Sequence, residues 1–120
     1  MRDIKFTTSD KVNPDYYIGV KKAKVVPGKK IVAGNWKMNC DISQTYHLLD
    51  ALKEQDITDD VSVIVAPPFT NLQSANQALL DTEILVAAQN MHQEASGAYT
   101  GEISAQMIKG VYVNTVILGH

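Results

Sequence analysis

The chain has 120 residues and a mass of 13.2 kDa, which leaves room for one small domain with one core and not for two. Hydrophobic residues make up 45% of it and charged residues 20%, with a formal net charge of −2, the balance of a soluble globular protein with no electrostatic case for a nucleic-acid partner. No apolar run reaches the roughly 20 residues that cross a bilayer, and Asp3 and Asp10 among the early lysines fit neither a signal nor a transit peptide, so the expectation is a cytoplasmic protein with no membrane partner.

In chain order, "DIKF" and "YYIGV" each read as a short strand, with "NPD" at 13–15 as a turn between them. Two such strands are marginal without a layer to pack on. Next, "KKAKVVPGKK" places five lysines in ten residues, which repel one another in any compact arrangement and so read as a solvated linker. The sharper alternative, a basic arm for phosphate or RNA, is weakened by the single arginine of the chain. Residues 1–29 are therefore set apart as an extension or linker of unknown role.

From Lys30 the pattern becomes regular, with four apolar runs: "KIVAGN", "VSVIVA" from Val61, "ILVAA" from Ile84 and "TVILGH" from Thr115. They are continuously apolar and not alternating, as strands covered on both faces are, and that predicts a parallel sheet. Between the first two lies "DISQTYHLLDALKEQD", with Asp41 and Gln44 as N-cap and N3 and with Thr45, Leu48, Leu49 and Leu52 on one helical face. Between the second and third, "TNLQSANQALLDT" repeats the scheme, with Thr70 and Gln73 at the cap and Leu72, Ala75 and Leu79 along the buried stripe. A shorter helix over about 104–109 precedes the fourth strand. The single cysteine, Cys40, excludes an internal disulfide, fits a reducing compartment and reads as a small half-buried hydrophobe.

This β-α-β-α-β-α-β order suits an open doubly wound sheet or part of a closed (β/α)8 barrel, and in both the chemistry collects beyond the carboxyl ends of the strands. Asn35 and Lys37 follow the first strand, Gln89 and Asn90 the third, and His120 the fourth, so parallel topology brings them to one rim. Alternation along the chain points Asn35 and Lys37 one way and Trp36 the other.

Five motifs carry a family resemblance: "GNWKMN" at 34–39, "APPF" at 66–69, "AAQN" at 87–90, "GAYTGEIS" at 97–104 and "ILGH" at 117–120. In this order and spacing they resemble triosephosphate isomerase, over about residues 30–120. The resemblance implies the amino-terminal half of a TIM barrel, with strands 1–4 and three intervening helices, preceded by a short extension outside the barrel. It implies an aldose–ketose isomerase of glycolysis and gluconeogenesis that interconverts dihydroxyacetone phosphate and glyceraldehyde 3-phosphate through an enediolate, without cofactor or metal. Lys37 resembles the family's active-site lysine, a fixed cation beside the substrate phosphate and the developing oxyanion. Asn35 resembles the amide that positions it, and His120 the histidine that polarises the substrate carbonyl. Thr100 resembles the residue that reaches a partner subunit's site, and Tyr99 and Glu102 share that dimer-interface loop.

Each residue has a plainer competitor. A lysine after a strand is usually a solvated charge, and His120 without "VILG" before it reads as a tail residue. His47 and His92 read as surface or satisfied histidines. Gln89 and Asn90 read as braces for loop backbone, and Glu102 as a carboxylate at the start of a short helix, favoured there by the helix dipole. A full barrel takes roughly 250 residues, so the expectation is a half barrel that lacks the family's glutamate base, lid and phosphate-gripping loops and is inactive by itself. Its first and fourth strands are expected to be open edges, its inward side chains to lack an opposite wall, and the chain to be marginal or self-associating. It then works with a complementary C-terminal half or in a homodimer on a triose phosphate, or it serves as a non-catalytic folding or dimerisation module.

Overall fold

The computed structural model describes residues 3–6 and 29–120. The strand expected at "YYIGV", the turn at 13–15 and most of the lysine-rich linker lie outside the described residues. In chain order the elements are β1 (Asp3–Phe6), β2 (Lys30–Asn35), α1 (Ile42–Lys53), β3 (Val61–Ala66), a 3-10 turn (Phe69–Asn71) running into α2 (Leu72–Ala78), β4 (Leu85–Ala88), α3 (Ala105–Gly110) and β5 (Thr115–Leu118). The sheet order is β1-β5-β4-β3-β2. Strands β2 to β5 run parallel, in register from Lys30↔Val61 to Asn35↔Ala66, through Ile64↔Leu85, to Ala88↔Val116. With helices in between, they make the curled half of an α/β barrel: the apolar runs predict the parallel sheet, and the family resemblance implies the barrel.

Strand alternation divides the core into two layers. Val65, Val86, Ala88 and Val116 point toward the helices and join Leu49, Leu72, Ala75, Leu79 and Ile108 in the main cluster. Ile64, Ala66, Ala87 and Ile117 point to the concave face and form a second buried cluster with Ala33 and Leu85 packed against it. These four inward side chains are each 1% exposed or less, so they do not lie bare as the expectation of a missing wall would have it.

The helices follow local rules with three corrections. In α1 the Asp41 carboxylate accepts from the Gln44 N–H at 2.8 Å while Gln44 Oε1 accepts from the Asp41 N–H at 3.0 Å, the reciprocal capping box that the sequence predicts. Thr45 and Leu49 are buried and Leu52 packs on the core, whereas Leu48 is 45% exposed. At 100° per residue Leu48 sits on the flank of that stripe, so the helix buries a narrower face than the four residues suggest. In α2 the stripe of Leu72, Ala75 and Leu79 is buried as expected, but Thr70 is not the cap. The 3-10 turn enters α2 without a break, and the Thr70 hydroxyl donates to Asn71 Oδ1 at 2.9 Å. Asn71 is buried and its Nδ2 donates to the Cys40 carbonyl at 2.8 Å and to Thr45 Oγ1 at 3.0 Å, tying α1 to α2. In α3 the N-cap is Ser104, whose Oγ accepts from the Met107 N–H at 3.2 Å. Glu102 lies before this cap and outside the first turn, so the helix-dipole role expected for it does not apply.

The largest departure concerns the edges. β1 pairs antiparallel with β5 over four residues, Asp3↔Leu118 to Phe6↔Thr115, so the fourth parallel strand is not an open edge. Among the described strands the two edges of the sheet are therefore β1 and β2, and of the four parallel strands β2 alone is an edge.

Candidate active site

The site begins where β2 stops. Asn35 is the last residue of the strand, and Trp36 still donates its N–H to the Ala66 carbonyl at 3.1 Å. Its indole packs on the helix-side cluster, opposite in direction to Asn35. Lys37 then adopts φ 55°, the left-handed region that costs a non-glycine residue roughly 1–2 kcal/mol. Three hydrogen bonds hold this turn. Asn35 Oδ1 accepts from the Lys37 N–H at 3.0 Å, Asn39 Nδ2 donates to the Trp36 carbonyl at 2.7 Å, and Gln89 Nε2 donates to the Lys37 carbonyl at 2.8 Å. The same Gln89 amide donates to the Ala66 carbonyl at 2.7 Å, so one side chain from the end of β4 clamps the ends of β2 and β3. Asn35 therefore positions Lys37 through its backbone, and the placement of Lys37 comes from this turn and not from continued strand alternation, because the strand has already ended.

Asn35, Lys37, Met38, Gln89, Asn90, Gly119 and His120 line one open cleft of about 410 Å³ at the carboxyl ends of the parallel strands. The rim expected from the sequence is thus assembled: Lys37 and His120, 83 positions apart by subtraction of their numbers, face a common space. Gly119 takes φ 71° between β5 and His120, which turns the histidine out of the strand. Among the described residues, neither the Lys37 ammonium nor the His120 ring has a hydrogen-bond or ion-pair partner, so a cation and a ring donor are both open to an incoming anion.

Thr100, Tyr99 and Glu102 do not line this cleft; they lie exposed on the loop 97–104. The base of the loop is fixed, with the His92 N–H donating to the Ile103 carbonyl at 2.8 Å and a parallel bridge between His92 and Ser104. Its tip is shaped by the Tyr99 ring, whose centroid lies 4.3 Å from that of His92 with the planes tilted by 35°, and by Gly97. A Cβ at Gly97 would lie 2.7 Å from the Tyr99 ring, at a φ of 137° that side chains rarely take. His92 is held in place, since its Nδ1 accepts from the Glu94 N–H at 3.1 Å. The sequence reading missed Asn39 and Asn71 as braces. An asparagine closing a tight turn was the available signal for Asn39, while a buried Asn71 bridging two helices has no local signature.

The family model described as triosephosphate isomerase matches residues 30–120. The chain belongs to the triosephosphate isomerase family. The triosephosphate isomerase of Flavobacterium psychrophilum is 55% identical over 92 residues, covering 76% of this chain and 37% of that protein. Those of Flavobacterium johnsoniae and Alkaliphilus metalliredigens are 54% identical over 93 residues and 46% identical over 92, each across 77% of this chain. The chain spans about 37% of the length of these curated relatives. The matched region opens at β2 and includes the whole cleft, while β1 lies outside it.

Proposed function

We propose that residues 30–120 form the amino-terminal half of a triosephosphate isomerase active site, acting on dihydroxyacetone phosphate and glyceraldehyde 3-phosphate in glycolysis and gluconeogenesis. The observation that carries this reading is the single cleft lined by Asn35, Lys37 and His120 at the carboxyl ends of β2 and β5. In this reading Lys37 is a catalytic residue: its ammonium, fixed by the turn, attracts the substrate phosphate and stabilises the oxygen that gains charge as the enediolate forms. His120 is the second catalytic residue, donating a hydrogen bond to the substrate carbonyl while a proton moves between adjacent carbons. Asn35 is a positioning residue. The base that removes the proton, and the groups that enclose the phosphate, come from outside these 120 residues, from the remainder of a barrel or from a complementary half. An open cleft leaves an enediolate in water, so the 120-residue chain by itself is expected to give no turnover above buffer.

The anchored loop with Tyr99, Thr100 and Glu102 at its exposed tip supports a homodimer, with Thr100 entering the partner's site. A single cysteine and the glycolytic substrate support a cytoplasmic location. The test is a graft. Residues 30–120 replace the matching segment of the Flavobacterium psychrophilum relative, and isomerase activity is followed in a coupled assay. We expect an active chimera whose kcat falls on the order of 10²–10³-fold on Lys37→Ala and about 10²–10⁴-fold on His120→Ala. A folded chimera without activity, or one indifferent to Lys37→Ala, sinks the reading.

A further inference from the structure

The loop that carries Lys37 bends twice against the preference of its residues. Lys37 at φ 55° and Cys40 at φ 75° both take the left-handed region, which neither lysine nor cysteine favours, so the bends persist only where the surroundings over-determine them. At each bend the carbonyl is held by a side-chain amide from elsewhere in the fold. Gln89 Nε2, just past the end of β4, donates to the Lys37 carbonyl at 2.8 Å, and Asn71 Nδ2, from the turn before α2, donates to the Cys40 carbonyl at 2.8 Å. The two amides differ in setting. Gln89 lines the cleft, whereas Asn71 is 1% exposed and does not line it. Asn71 is itself fixed, because Nδ2 also donates to the buried Thr45 Oγ1 at 3.0 Å and Oδ1 accepts from the Thr70 hydroxyl at 2.9 Å. Beyond Cys40 the chain is pinned again by the capping box of Asp41.

We propose that Asn71, outside the cleft, is a positioning residue for Lys37 that acts through the Cys40 carbonyl; this rests on the reading of Lys37 as a catalytic residue. The bond from Asn71 fixes the second bend. Asn39 Nδ2 ties the loop back to the Trp36 carbonyl at 2.7 Å, so the first bend, with Lys37 on it, is set from both sides. The Lys37 ammonium has no hydrogen-bond or ion-pair partner among the described residues, and its place therefore follows the backbone.

The first test reads the geometry by NMR in the full 120-residue chain. A positive φ brings the N–H and Hα of one residue close together, so Lys37 and Cys40 are expected to show strong intraresidue cross-peaks, and the Asn71 side-chain amide to exchange slowly. A weak cross-peak at Cys40, or an Asn71 amide that exchanges freely, overturns the proposal before any variant is made. Asn71→Leu is expected to lose the strong cross-peak at Lys37, and Cys40→Gly added to it, which takes positive φ without steric cost, to restore that cross-peak in part. Thr45→Val breaks the same buried network without removing the donor to Cys40 and is expected to leave Lys37 in place. An Asn71→Leu chain that keeps the Lys37 cross-peak contradicts the proposal, as does a Thr45→Val chain that loses it. The second test is kinetic. In the active chimera Asn71→Leu is expected to lower kcat on the order of 10–100-fold, with part recovered by Cys40→Gly; an unchanged kcat contradicts the proposal. An inactive parent chimera sinks the functional reading alone, and the cross-peaks still decide the positioning.

Discussion

The first and the last of the four parallel strands have similar apolar sequences in opposite circumstances. In β2, Ile31 is 41% exposed and Val32 58% exposed; in β5, Val116 is 5% exposed and Ile117 1%. Among the described strands β2 pairs with β3 alone, whereas β5 lies between β4 and β1. An apolar run is thus not a statement about burial until its neighbours are known, and the free energy it contributes follows the neighbours. The same contrast holds at the site, because the residue from the exposed edge, Lys37, depends on three hydrogen bonds for its place, and Gln89 reaches across from β4 to supply one of them.

Equal truncations on these two strands sharpen the comparison most. Ile117→Ala removes a fully buried side chain and is expected to cost about 2–5 kcal/mol, whereas Ile31→Ala should cost below about 1 kcal/mol; urea denaturation of both reads the difference. Equal losses would mean that β2 is covered as well as β5. Next in size, Gln89→Ala removes two hydrogen bonds to backbone carbonyls and is expected to cost about 1–2 kcal/mol, with faster amide exchange at 37–39 and none at β5. A helix on each side extends the contrast. Asp41→Ala breaks the reciprocal box of α1 and should cost about 1 kcal/mol, more than Ser104→Ala, which removes a single bond at the start of α3; thermal melts rank the two. The smallest effect belongs to the exposed ion pair of Lys53 with Asp81 at 3.2 Å. Asp81→Asn should cost less than about 0.5 kcal/mol and vanish in high salt.

The parallel strands, the three helices and the rim at their carboxyl ends were legible in the sequence because each is written in local pattern. Continuous apolar runs mark the four parallel strands, although β2 is not covered as the run suggests, and Asp41 with Gln44 marks a helix start within four residues. The cleft followed from topology, since parallel strands deliver their ends to one side. What was not legible depends on distant partners. "DIKF" reads as a strand, yet nothing in four residues says that it pairs with "TVIL" more than a hundred positions later. Thr70 resembles a cap, but Pro67 and Pro68 lead into a 3-10 turn that removes the free helix start. Leu48 carries the right residue type on the wrong flank of α1. The left-handed turn at Lys37 was hidden as well, because lysine is not a residue that signals positive φ.

The central claim is that Lys37 and His120 serve one mouth, and a titration of the 120-residue chain with dihydroxyacetone phosphate, followed by NMR at both side chains, tests it most directly. The account expects the Lys37 and His120 resonances to move together along one binding curve, with His47 and Lys53 unmoved and the shifts at His120 lost in Lys37→Ala. Independent curves for the two residues, or movement at His47 and Lys53 to the same extent, would contradict it.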